Sequence, residues 1–67
     1  MVSRTLGMRL KMLREQRGLS QAILAKRIKV TQPYITMLES GAFSNPTLDV
    51  LKKLAKALKV TVGELVE

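Results

Sequence analysis

Between Ser20 and Ser40 the chain reads Ser-Gln-Ala-Ile-Leu-Ala-Lys-Arg-Ile-Lys-Val-Thr-Gln-Pro-Tyr-Ile-Thr-Met-Leu-Glu-Ser, and its chemistry-bearing residues gather there. Written as a helix from Gln32 onward, the second half of this stretch divides into two faces. Ile35 and Leu38, one turn apart, share the first. Gln32, Pro33, Thr36 and Met37 share the second, with Tyr34 and Ser40 at its margins. The second face is polar in part and carries no charge. It can offer hydrogen bonds and apolar contact, which suit the edges of nucleic-acid bases better than phosphates.

Other chemistries find little to work with. The 67 residues include no His and no Cys, which removes the usual general base, the commonest metal ligand, the thiolate site and the disulfide framework. Five carboxylates (Glu15, Glu39, Asp49, Glu64 and Glu67) are scattered and form no pair. An enzyme is not expected, nor a cofactor or a metal. Twelve Lys and Arg against those five acids give a net charge of +7 and a pI near 10.4. On so small a surface this implies a polyanionic partner, either nucleic acid or an anionic membrane surface. Only two aromatics, Tyr34 and Phe43, argue against a stacking platform for single strands. No apolar run approaches the ~20 residues of a membrane span. Met1-Val2-Ser3-Arg4 lacks the apolar segment of a secretory signal, so a cytoplasmic protein is expected.

Around Ser20–Ser40 the pattern predicts buttressing helices. From Leu6 to Arg17, Leu6, Leu10 and Leu13 recur at helical spacing with Met8 and Met12 flanking them, and Gly18 stops the run. Gly7 falls in the first turn of this helix, where fraying softens its helix penalty of about 1 kcal/mol. Ser20 caps a second helix, Gln21 to about Ile28, with Leu24, Ala25 and Ile28 inward and Ile23 near the surface. Thr31 caps the third, roughly Gln32 to Ser40, with Pro33 tolerated in its first turn and Gly41 ending it. Asn45-Pro46 marks a loop under which Phe43 can tuck. Thr47 caps a fourth helix, Leu48 to Leu58, with an apolar stripe of Leu48, Leu51, Leu54, Ala55 and Leu58. Thr61-Val62-Gly63-Glu64 has capping-box spacing and opens a last short helix. Leu24-Ala-Lys-Arg-Ile-Lys-Val-Thr31 is echoed by Leu54-Ala-Lys-Ala-Leu-Lys-Val-Thr61, one local solution used twice. The expectation is a compact all-α domain of five helices spanning residues 1–67.

Two short helices joined this tightly, with the second able to project, form a helix-turn-helix over about residues 20–40. Ala25 is small where the helices cross. The ordered set Arg14, Gly18-Leu19-Ser20-Gln21, Leu24-Ala25, Val30-Thr31-Gln32, Ile35, Leu38-Glu39, Gly41, Asn45-Pro46 and Leu54-Ala55-Lys56-Ala57-Leu58 resembles the lambda-repressor-like (Cro and xenobiotic-response-element) family of DNA-binding domains. The resemblance runs from about Leu6 to Leu65. It implies that Gln21 bonds a DNA phosphate and braces Gln32, which reads a base, most naturally adenine N6/N7. It puts Pro33 and Met37 at base-facing positions and Tyr34 and Ser40 near phosphates. It also implies a largely buried ion pair between Arg14 and Glu39.

Three residues or segments depart from that family pattern. Lys29 stands where the family usually has Gly in a left-handed turn, and Lys59 repeats the substitution; a left-handed Lys costs roughly 1–2 kcal/mol. The loop after Gly41 lacks the family's Lys or Arg, so backbone N–H groups, the side chains of Ser44 and Asn45 or the amino end of helix four would have to meet phosphates. Pro33 offers only apolar contact, for instance to a thymine methyl.

The resulting expectation is a sequence-specific double-stranded DNA-binding transcriptional regulator, a repressor, acting as a homodimer on a palindromic operator. Val62, Leu65 and Val66 form its candidate dimer surface, or else close the core of a monomer. Arg4, Arg9, Lys26 and Arg27 could reach flanking phosphates, while Lys52, Lys53 and Lys56 form a solvated face. Two alternatives come from other classes. One is a protein-interaction module of the same fold, such as the antitoxin of a toxin–antitoxin pair, using Ile23 and the apolar C-terminus. The other is a binder of anionic membranes through basic amphipathic helices.

Overall fold

The computed structural model describes residues 2–66, and their side chains from residue 6 onward. Among these residues there are five helices and no strand: α1 (Val2–Gln16), α2 (Gln21–Ile28), α3 (Gln32–Ser40), α4 (Leu48–Leu58) and α5 (Val62–Val66). Helix α1 packs on α3 and α5, α2 packs on α3 and α4, and α4 packs on α5. One apolar cluster joins them, built from Leu6, Leu10, Leu13, Leu24, Ala25, Ile28, Ile35, Leu38, Leu54, Ala55, Leu58 and Leu65. This is the all-α arrangement that the periodicities predict.

The helix boundaries follow from local chemistry. Ser20, Thr31 and Thr47 sit in extended backbone, and their hydroxyls accept from the N–H groups of Ile23, Tyr34 and Val50, satisfying donors that a helix start leaves free. Thr61 and Glu64 close a reciprocal capping box: Thr61 N–H donates to Glu64 Oε1 at 2.8 Å, and Glu64 N–H to Thr61 Oγ1 at 3.0 Å. The echoed segments end alike. Lys29 and Lys59 have φ of 62° and 60°, and the next N–H, of Val30 or Val60, returns to Ala25 O or Ala55 O at 2.9 Å. Gly18, at φ 68°, is followed by the same bond, from Leu19 N–H to Arg14 O at 3.1 Å. Three of the helix ends thus share one six-residue closure, and two of them place a lysine in the left-handed conformation that favours glycine.

Three sequence expectations need correction. Helix α1 begins at Val2 and not at Leu6; residues 2–5 contain no Pro or Gly to break it. Gly7 therefore lies in the helix interior, where α1 crosses the end of α3: a Cβ there would sit 2.5 Å from Leu38 O and 2.7 Å from Glu39 O. Leu48 is 59% exposed; it is the first residue of α4, about 9 Å along the helix axis from Leu54, and only Val50 and Leu51 of its turn pack against the core. Leu51 is half-buried, and Met8 and Met12 face solvent.

Candidate nucleic-acid interface

Helix α3 is fastened by Ile35 and Leu38, both essentially inaccessible. Their burial leaves Gln32, Pro33, Thr36 and Met37 outward, and these four line a shallow depression on the surface of the domain. Met37 is 43% exposed, so it lies on this face and not in the core. Burying two anchors of this kind contributes roughly 1.5–3 kcal/mol each, which sets the helix rigidly while its outer face stays free.

Beside the depression runs a hydrogen-bonded chain from the core to α3. Arg14, 8% exposed, donates from Nε to Glu39 Oε2 at 2.6 Å and from Nη2 to Glu39 Oε1 at 3.1 Å. Its Nη1 donates to Leu19 O at 2.7 Å. The guanidinium thus ties α1, the α1–α2 turn and α3 together. The hydrogen bond and charge of Glu39 raise the Arg14 pKa above its ordinary value, outweighing the desolvation that would lower it. Gln21 Nε2 donates to Glu39 Oε1 at 2.9 Å, and Gln21 Oε1 accepts from the Thr36 hydroxyl at 2.7 Å. Gln21 is therefore braced against Glu39 and Thr36, and not against the Gln32 side chain as the resemblance implies. The reason is register: Thr36 and Glu39 lie three residues apart, on the flank of α3 that meets the start of α2.

The margins of the face are organised locally. Tyr34 is half-buried against the core, with its ring 5.4 Å from that of Phe43 and tilted by 51°; burial pushes its phenol pKa up. Phe43 tucks under the loop as expected, and its N–H bonds Met37 O at 3.1 Å. Ser40 Oγ donates to Met37 O and accepts from Ala42 N–H, both at 3.2 Å, closing the end of α3. Ser44 and Asn45 are exposed on the loop before α4.

Among the described residues no cation lines the depression on α3. Lys26 and Arg27 are exposed on α2. Arg9 is half-buried, with its Nε out of contact with solvent and unpaired, and the side chain of Arg4 lies outside the described residues. Arg27, Lys29, Lys53 and Lys56 border a second open depression over Ile28 and Ala57, between the end of α2 and α4. Asp49 meets Lys53 there at 3.3 Å. Arg17 was legible only as a surface charge; its Nε donates to Leu58 O at 2.9 Å, satisfying a carbonyl at the end of α4. At the C-terminus, Leu65 is fully buried because α5 closes on α1 and α4, so it leaves the candidate dimer surface. Val62 and Val66 are half-buried. Among the described residues no His, Cys, Asp and Glu cluster could hold a metal, and no helix is long and apolar enough to cross a membrane.

A helix-turn-helix family model matches residues 10–65. The chain belongs to this family, the lambda-repressor-like helix-turn-helix domains. It is 39% identical over 59 residues to the helix-turn-helix transcriptional regulator DdrOP3 of Deinococcus deserti, covering 88% of this chain and 45% of that protein. It is 34% identical over 62 residues to the immunity repressor protein of Bacillus phage phi105, covering 92% and 42%. The chain thus spans about half the length of the curated relatives it matches. Among solved structures, SinR, a master regulator of biofilm formation, in complex with DNA, superposes with a TM-score of 0.88 at 31% identity over 92% of this chain and 98% of that one. Iron-bound HppE contains a similar fold, with a TM-score of 0.93 at 28% identity, covering all of this chain but 35% of its own.

Proposed function

We propose that this domain binds double-stranded DNA sequence-specifically, with α3 in the major groove, and acts as a transcriptional regulator, most simply as a repressor. The observation that carries this reading is the outer face of α3: uncharged, free, and held by two buried anchors. The likeness to a DNA-bound SinR structure and to an immunity repressor supports it. Gln32 would read adenine N6/N7, and Pro33 and Met37 would meet methyl-bearing base edges. Thr36 lies between them. Gln21, Tyr34, Ser40, Ser44 and Asn45 flank the face, where the phosphate backbones would run. The net +7 then supplies affinity that falls steeply with salt, while the α3 face supplies discrimination.

A single module reads few base pairs, so the working unit would be a homodimer on a palindromic operator with half-sites about 34–36 Å apart. Val62 and Val66, half-buried against the core, are the apolar residues of α5 that keep some surface for that contact. Nothing in this reading calls for catalysis, a cofactor or a metal, and a DNA-binding regulator of this kind acts in the cytoplasm. Selection from random duplexes at fixed salt should recover an enriched, roughly palindromic site. Gln32→Ala should weaken binding to that site by about 1–3 kcal/mol with fold and oligomeric state intact. Recovery of no enriched site would refute the proposal.

Exposed Met8, Met12 and Ile23 favour a second reading, a protein-interaction module of the antitoxin kind. It predicts that Ile23→Ser abolishes partner capture while Gln32→Ala has no effect.

A further inference from the structure

The chain of hydrogen bonds beside α3 has a direction, and its direction reaches the outer face. Glu39 is a carboxylate held by Arg14, so both its oxygens can only accept. The Gln21 amide must therefore turn its NH₂ toward Glu39, as it does at 2.9 Å, which leaves its carbonyl oxygen facing Thr36. The Thr36 hydroxyl has two neighbours, Gln21 Oε1 at 2.7 Å and the backbone Gln32 O at 3.2 Å. Both are pure acceptors, so the single hydroxyl proton is committed inward whichever it chooses. Thr36 is exposed on the depression that also includes Gln32, Pro33 and Met37. It presents to that space only oxygen lone pairs and a methyl group.

We infer that Thr36 is a specificity-determining residue that accepts a hydrogen bond from a base amino group, selecting adenine or cytosine over guanine or thymine at the position it meets. Gln21 and Glu39 are the positioning residues that set this polarity. The inference rests on the reading that α3 faces the major groove. There adenine N6 and cytosine N4 are donors, whereas guanine N7 and O6 and thymine O4 are acceptors. A free threonine hydroxyl rotates to suit either kind of base. A hydroxyl with its proton already committed repels a keto oxygen and rewards an amino group. One such neutral bond amounts to roughly a threefold to tenfold preference.

The test combines protein variants with base analogues. Selected duplexes are compared for the wild-type chain, Thr36→Val, Thr36→Ser and Gln21→Met, each also measured for its melting midpoint. Thr36→Val keeps the shape and removes the acceptor, so one position of the site should lose its amino preference, falling to less than about twofold. Thr36→Ser should keep the preference. Gln21→Met removes the shorter of the two bonds that hold the Thr36 proton and leaves only Gln32 O at 3.2 Å, so the amino preference at that same position should narrow without reversing. A role confined to packing or to phosphate contact would instead weaken all sequences alike. Replacing the preferred base by an analogue without its exocyclic amino group should weaken the wild type about threefold to tenfold and leave Thr36→Val unaffected. An enriched site that Thr36→Val does not alter, or a Thr36-dependent position occupied by guanine or thymine, would overturn this inference and leave the DNA reading standing. No enriched site for the wild type would overturn both.

Discussion

Gly7 provides a sharp test of the packing, because helix propensity and tertiary geometry make opposite predictions for it. In the interior of an ordinary exposed helix, Gly→Ala gains about 1 kcal/mol. Here the new methyl carbon would lie 2.5 Å from Leu38 O and 2.7 Å from Glu39 O, roughly half an ångström inside the closest approach a Cβ tolerates. The obstructing atoms are main-chain carbonyls in the last turn of α3, so no rotamer change relieves the contact. Helix α1 must retreat, loosening Leu6 and Leu10 within the core. Overpacking of this kind costs typically 1–3 kcal/mol and occasionally more, and it also strains the Arg14–Glu39 pair next to Leu38. A net loss of about 2–3 kcal/mol is expected, large against the roughly 3–10 kcal/mol total for a domain of this size. The corresponding fall in melting midpoint is about 10–20 °C, measured by far-ultraviolet circular dichroism. Gly63 supplies the control: its nearest neighbour to an added Cβ is Thr61 Oγ1 at 3.8 Å, so Gly63→Ala should be neutral or slightly stabilising. A Gly7→Ala domain as stable as the wild type would refute the close helix crossing.

Further predictions concern charge and backbone. Glu39→Ala strands the Arg14 guanidinium, whose side chain is only 10% exposed, and should cost about 3–5 kcal/mol; an unchanged urea midpoint would contradict the ion pair. Lys29→Gly removes a left-handed lysine and should stabilise by about 0.5–1 kcal/mol, read as a rise in melting midpoint, and Lys59→Gly should do the same. Hydrogen bonds from the Thr61 backbone and then its hydroxyl hold the Glu64 carboxyl below its ordinary 4.5. Because the folded value is depressed, its stabilisation is present above the ordinary value and lost as pH falls through the folded one. Melting followed from neutral to acid pH should therefore show less acid sensitivity in Glu64→Gln than in the wild type.

Much of the architecture was legible because it rests on short-range rules. Ser20, Thr31, Thr47 and Thr61 announce helix starts through hydroxyl caps, and the Leu spacings in α1 and α4 announce buried faces. Leu48 shows the limit of such spacing. It continues the α4 stripe in register, yet it stays in solvent while Val50 and Leu51 of the same turn pack against the core. Leu65 shows the converse, since an apolar residue near a chain end is equally consistent with a free surface until α1 and α4 are in place. Gly7 and Arg17 each act across 30 or more intervening residues, through contacts with Leu38 and Leu58 O, and no local pattern encodes either.

The sequence by itself determined the five helices, their caps, the two left-handed lysines and the uncharged face of α3. Each of these depends on residue type and on spacing within a few positions along the chain. Only the tertiary structure decided which residues share hydrogen bonds across helices. Gln21 is fifteen residues away from Thr36 in the sequence but adjacent in space, because Ala25 lets α2 and α3 close together and Glu39 orients the amide between them. A hydroxyl's proton goes to the acceptors around it, and those are assembled only when the helices pack.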